Sequence, residues 1–496
     1  MQTLASFSLY PPTPHLRLPS TTTSTPPHQL RRRSSSILCS SFPAPAAGGG
    51  GGGLYSPTPH SHHPRPPPTT TQLQRRRPVV VCSSLPPGGG GDFHAFAEVA
   101  KDFNLIPFCR TIFFDEDTST KVYLRLTKED EGPYSPSFIS TPPSSKGRYT
   151  LIGAQPAVEF VAKENFVTII DGWEGSRRDD IVEDPMRLLK RMMEKWKPQP
   201  LVGLPDTFCG GWFGYFSYDT FRYVEKKLSF SSAPKDDRFL PDIDVCLYDD
   251  VIVFDHLERK TYLINWVLLD RYDSLEAAFF RGKIAESQLD SLFLKLPDGI
   301  LPAALDSYIF DTSSLRSNMT KEEYRLAVVK AKNNIGVGDH VVLSQRFDRR
   351  IDTDPFTVYR QLWSEPFGTY LKGRGYALIS KSQENLVFVK QDTRELSERL
   401  SCWDALQAAL PSAVVCGAPK AKAMELIDQL EQSRRGPYGG GVGFVSFFGD
   451  MDMSVSSHMI LFPTGTGVAH IQVGIPVISS LSYDLLDSEK SINHFP

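Results

Sequence analysis

The sequence predicts an α+β fold built on large antiparallel sheets, and three observations carry that reading. From Val122 to about Trp266 the apolar residues fall into short runs of strand length, divided by turn residues. Beyond Thr320, strand-like and helix-like segments mix without the strand–helix–strand rhythm of a parallel sheet. Residues 92–496, 405 in all, are long enough for one large domain or two.

The strand runs are Tyr149–Ile152, Val158–Ala162, Val167–Ile170 and Val251–Asp255, with turn signals at Gly153, Asp171-Gly172 and Asp236-Asp237. One amphipathic helix is expected over Pro185–Trp196. Thr320-Lys-Glu-Glu323 is a capping box, in which hydroxyl and carboxylate each satisfy a backbone N–H, and it opens a helix to about Ile335. Strand Val341–Ser344, helix Pro355–Trp363, strands Ala377–Ile379 and Leu386–Val389, and helix Trp403–Ala409 follow in turn.

Residues 1–91 stand apart. They contain eight arginines and no Asp, Glu or Lys, and are rich in Ser, Thr and Pro. That composition cannot build a core and is the one expected of an organellar transit peptide, here for a plastid. The segment repeats itself in order: Leu9–His15 returns at Leu54–His60, the Arg31–Arg33 triplet at Arg75–Arg77, and Leu38-Cys-Ser-Ser41 at Val81-Cys-Ser-Ser84, near the expected cleavage. Without the eight arginines the formal charge moves from −3 to −11, which argues against nucleic-acid binding. No run of about 20 apolar residues occurs, so no membrane association is expected. The cysteines Cys109, Cys209, Cys246, Cys402 and Cys416 form no metal-ligand pattern and read as reduced core residues.

Cys416 to Asp452 is the most informative stretch. Pro419 suits a helix start, where its missing N–H has no helical partner. Met424, Ile427 and Leu430 recur at helical spacing, and Gly436-Pro437 stops the helix. The helix start beside Lys420 could hold a carboxylate, and Gly439–Gly441 would let backbone approach closely. The same pattern also reads as a capped core helix.

This block resembles the C-terminal signature of the chorismate-utilising enzymes, S-G-A-P-K-x-x-A-M-E-x-I-D-x-L-E…R-R-G-x-Y-G-G…G-D-M-D. Asp206–Leu228 and Leu247–Asp270 resemble the plant anthranilate synthase alpha subunits, and the likeness runs from about Phe103 to Glu489. It implies two facing sheets with helices packed outside, an N-terminal region over 92–315 and a chorismate-binding region over 316–496. It also implies chemistry: chorismate and ammonia from a glutamine amidotransferase beta subunit give anthranilate and pyruvate, with Mg²⁺ on the substrate carboxylate. Carried over residue by residue, Tyr438 matches a substrate-contacting tyrosine, Gly474 the first glycine of a carboxylate-binding Q-x-G-A-G loop, and Glu489 a metal glutamate. Lys420 stays with the helix start.

Departures from the pattern are equally specific. His458 stands where the family has an arginine that grips a carboxylate in two places. Gly474-Ile475-Pro476 loses a backbone donor to proline, and Cys416 replaces a serine. After Val389 the chain passes almost directly to Ser401, omitting a block with P-x-A-G-T, a second metal glutamate and a catalytic histidine. The tryptophan-sensing segments become Ile139–Pro142 and Trp363–Thr369. Three readings stay open: a working alpha subunit, a non-catalytic relative that binds a partner, or a decayed or mis-assembled gene product. Aminodeoxychorismate synthase fits less well, because no G-x-C-x-G nucleophile turn occurs.

Overall fold

The computed structural model describes residues 91–113, 119–128, 135–200, 203–294, 315–351, 353–362, 368–382, 384–390 and 400–479. Its frame is two antiparallel sheets. In the larger, neighbours run Leu105–Phe113, Lys260–Leu268, Asp250–Asp255, Tyr149–Ala154, Ser137–Thr141, Gly368–Gly373, Tyr376–Ser380, Met459–Pro463, Val468–Ile478, His340–Arg350 and Arg316–Ser317. The short strand Gly417–Ala418 adds to the His340 end of strand 340–350. The smaller sheet runs Asn385–Val389, Met451–Val455, Gly441–Ser446, Gly211–Phe216, Ile243–Tyr248, Val158–Lys163, Phe166–Asp171 and Ser176–Ile181. Each sheet takes strands from both sides of residue 315.

Alternation along the strands makes the layers. Successive side chains point to opposite faces, so Phe138, Leu151, Val253 and Ile264 join the core between the sheets. Their neighbours Ile139, Ile152, Ile252 and Leu263 face outward under the helices. Aromatic rings lock the inner core: Phe138 of the large sheet stacks on Phe213 of the small one with centroids 3.6 Å apart.

Helices cover the outer faces. Ser119–Lys128 lies where the sequence suggested strand from Val122 onward. Val122 and Tyr123 have strand preferences, but together they pack on the sheet, the Tyr123 ring 4.6 Å from Phe356 of helix Pro355–Gln361. Gly91–Val99 and the long helix Leu275–Leu294 were not evident beforehand; they enclose Phe96, Phe108 and Phe279, whose rings lie 5.4 to 5.9 Å apart. Helices Lys321–Asn334 and Lys420–Leu430 pack on strand 340–350 through Tyr324, Val328, Met424 and Ile427. The Thr320 capping box forms as expected, Thr320 Oγ1 accepting from Glu323 N at 3.2 Å and Glu323 returning the bond at 2.8 Å. Helix 185–193 ends three residues short of Trp196, while strand 340–350 runs well past Ser344. No described helix is long and apolar enough to cross a membrane.

Candidate functional site

Helix Lys420–Leu430 buries Met424 and Ile427, as its spacing predicts, and hands the chain to an elbow at Glu431–Pro437. The elbow carries a fully buried cation, Arg435. Its Nη2 and Nε reach Glu431 at 2.6 and 2.9 Å, and its remaining donors take the carbonyls of Val415 and Val342, each at 2.6 Å. Burial pulls this guanidinium toward its neutral form, but Glu431 more than offsets that and its pKa lies above the ordinary value. Glu431 in turn accepts from Ser344 N at 2.6 Å and Ser344 Oγ at 3.1 Å. One ion pair thus joins helix, elbow and strand 340–350.

Tyr438 follows the elbow and enters the interior, its ring 5.6 Å from the Arg435 guanidinium; Tyr218 lies on the same cation at 4.9 Å. The hydroxyl of Tyr438 lies over Gly474, close enough that a Cβ there would collide with it. Gly474 is opposite Ser344 in the register of strands 340–350 and 468–478. The structure therefore brings together Tyr438 and Gly474, over the Arg435–Glu431 pair. Around them the buried Tyr218 hydroxyl, Ser456 Oγ and Gln472 Oε1 have no hydrogen-bond partner, which leaves polar capacity unused in the interior.

The other expected residues are placed elsewhere or differently. Lys420 Nζ donates to the carbonyls of Ala408, Ala409 and Leu410 at 3.2, 3.4 and 2.9 Å, so it serves the end of helix Cys402–Ala409. Gly474-Ile475-Pro476 lies within a long strand, where a loop was expected, with Pro476 opposite Val342. His458 sits in the exposed turn after strand 451–455, its Nδ1 3.1 Å from Ser457 Oγ, and desolvation lowers its pKa. Glu489, the leader and Trp363 lie outside the described residues. The backbone approach expected at Gly439–Gly441 is made to the protein itself: a Cβ on Gly440 would strike the Phe216 carbonyl. Burial pushes the Cys416 thiol up to about 12, so it is no nucleophile at neutral pH.

Among the described residues, no group of three or more His, Cys, Asp or Glu side chains could hold a metal ion; Glu489 lies outside them. Among the described residues, clefts open elsewhere. One of about 900 Å³ lies between helices 185–193 and 402–409, and one of about 430 Å³ borders Trp266 and Asp450; neither is lined by Tyr438 or Gly474. Of the two segments matched to tryptophan sensing, residues 363–367 lie outside the described residues; Gly368 and Thr369 pair with Thr141 and Ser140 in the large sheet, with Ser140 Oγ 2.7 Å from Thr369 Oγ1. Sequence reasoning missed the Glu431–Arg435 pair; its signal was opposite charges four residues apart just before the helix-stopping glycine.

Residues 136–397 and 393–480 match the family described as chorismate binding enzyme. Anthranilate synthase alpha subunit 1, chloroplastic, of Oryza sativa subsp. indica is 38% identical over 500 residues, covering 78% of this chain and 86% of its own. Its counterpart in Arabidopsis thaliana is 42% identical over 466 residues, covering 74% and 78%. Anthranilate synthase component I from Streptococcus pneumoniae TIGR4 shares the fold with a TM-score of 0.56 and 22% identity, over 70% of this chain and 90% of that one. The chain belongs to the chorismate-binding enzyme family and is similar, over most of its length, to the plant anthranilate synthase alpha subunits.

Proposed function

We propose that this protein is a plastid anthranilate synthase alpha-subunit relative of tryptophan biosynthesis that binds chorismate and, as written, turns it over poorly or not at all. The observation that carries the binding half is the closure of Tyr438 on Gly474, two residues that the resemblance assigns to one substrate. The Tyr218 and Ser456 hydroxyls beside them supply donors for a polar ligand. Ammonia would come from a glutamine amidotransferase beta subunit, as the family resemblance implies. The chloroplastic names of the rice and Arabidopsis relatives support the plastid location.

The impaired half rests on sequence. The rice alignment spans 500 positions yet only 78% of this chain, so a long stretch of that relative has no counterpart here. The two family matches meet at 393–397, where the block with the second metal glutamate and the histidine would stand. By the resemblance Glu489 would hold Mg²⁺, which would supply a cation for the substrate carboxylate. This chain's residues would bind and orient: Arg435 and Glu431 hold the elbow, and Tyr438 with the unpaired Tyr218 and Ser456 hydroxyls would contact the ligand. Losing an acid–base group typically costs about 10²–10⁴ in rate, before the loss of metal is counted. Purified protein given chorismate, Mg²⁺ and ammonium should bind chorismate by calorimetry and form no fluorescent anthranilate. Turnover at the rate of an intact relative refutes the impairment, and absence of binding refutes the proposed function.

A further inference from the structure

The elbow that delivers Tyr438 is held from the other half of the chain by several bonds, and a buried arginine makes two of them. Segment Glu431–Pro437 has no helix or strand of its own, so its direction depends on bonds made to individual backbone groups. Arg238 Nη2 donates to the carbonyls of Arg434 and Arg435, both at 2.8 Å. From the opposite side Asp219 Oδ2 accepts from Gly436 N at 3.3 Å, and Tyr218 N donates to the Gly436 carbonyl at 2.8 Å. The turn that bears Arg238 is itself pinned, because Asp236 Oδ1 accepts from the N–H groups of Arg238 and Phe239 at 3.3 and 2.9 Å.

This arrangement is costly. The Arg238 side chain is only 7% exposed, and its nearest ion-pair partner, Asp237, lies 3.9 Å away. Asp237 is already gripped in two places by Arg346, at 3.0 and 2.7 Å. Arg238 Nη1 is buried with no hydrogen-bond partner. Burial, with Arg346 nearby, lowers the Arg238 pKa to about 10. A buried, poorly compensated charge destabilises a fold, and an apolar residue of similar size would avoid that. Local rules broken at a cost concentrate where geometry serves a site.

We propose that Arg238 is a positioning residue for the Tyr438 site: by clamping the two carbonyls ahead of Gly436 it fixes the direction in which the elbow sends Tyr438 toward Gly474. The inference rests on reading Tyr438 and Gly474 as the chorismate contact. It is tested on the full chain by comparing wild type, Arg238→Met and Arg238→Lys in two measurements, amide hydrogen exchange and chorismate binding.

In Arg238→Met, exchange of peptides covering Gly436–Gly441 should rise about 10- to 100-fold, the loss expected for two charge-assisted hydrogen bonds. Peptides from strand Tyr149–Ala154 should keep their wild-type rates. Arg238→Lys, whose ammonium cannot span both carbonyls, should fall between. Chorismate affinity should drop in the same order. An unchanged elbow, a uniform rise throughout the protein, or a loosened elbow with unchanged affinity each overturns the proposal. If the Met variant does not fold, the Lys variant is judged by the same criteria. Wild-type protein that binds no chorismate defeats the functional reading, and the exchange comparison alone then decides the clamp.

Discussion

Asp244 offers a sharp test of how the inner core is balanced. It lies on strand Ile243–Tyr248, 6% exposed between the sheets, and its Oδ2 accepts from the Tyr376 hydroxyl at 2.7 Å. Nearby, Glu159 is gripped by Arg374 at 2.5 and 2.6 Å. Burial raises the Asp244 pKa from 3.8 to about 7, more than the Tyr376 bond lowers it, and the Glu159 charge adds to the rise. The folded protein therefore holds this proton more tightly than the unfolded chain does. Stability from this group is fully present below about pH 4 and is lost as pH rises through about 7. Three units at about 1.36 kcal/mol each give a swing of about 4 kcal/mol, of which about 2–3 kcal/mol falls between pH 5 and 8. Asp244→Asn removes the titration while keeping an oxygen for Tyr376. Urea unfolding of both proteins at pH 5 and pH 8 should show the variant gaining about 2–3 kcal/mol on wild type across that interval. Parallel pH dependences would refute the reasoning, because they would mean that Asp244 titrates alike in both states.

Three further expectations concern the site. Gly474→Ala sets a Cβ against the Tyr438 hydroxyl and Val342, and should cost about 1–3 kcal/mol in denaturation; adding Tyr438→Phe should recover part of it, and no recovery would disprove the contact. Glu431→Ala strands the Arg435 charge in the interior, so a loss of about 3–5 kcal/mol is expected by urea unfolding, and a loss under about 1 kcal/mol would show that the pair does not hold the elbow. Tryptophan should give no heat in calorimetry, since Ser140 and Thr369 are bonded to each other and Pro142 has no donor; micromolar binding would contradict this.

Much of this was legible in the chain. The Thr320 capping box, the stripe of Met424 and Ile427, and the strand runs Val158–Ala162 and Val167–Ile170 are local signals, and the structure repeats them within a few residues. Helix Leu275–Leu294 was not legible, because Phe280 and Ile284 lie exposed on its outer face and blur the amphipathic period. Strand pairing was hidden for a different reason: that Gly474 lies opposite Ser344, or Gly368 opposite Thr141, depends on contacts far apart in sequence. At the site, the resemblance pointed to Tyr438 and Gly474, whereas Lys420 turned out to bond a neighbouring helix end that no motif encodes. Arg238 was invisible, since a single arginine in a polar turn reads as surface until the fold buries it.

The mixing of both chain halves in each sheet has a kinetic consequence. Strand 441–446 lies between 211–216 and 451–455, and strand 468–478 between 340–350 and 459–463. These late segments lie inside the two sheets, each the third strand from an edge. A nascent chain lacking them exposes unpaired apolar edges on both layers, and must keep them from other chains until synthesis passes residue 478. Folds dominated by such distant pairings pay loop-closure entropy before they gain contacts, so they form slowly. A chain ending before Gly441 would keep the strands of residues 105–268 as neighbours in both sheets but leave the 211–216 edge unpaired, and such a fragment is expected to aggregate.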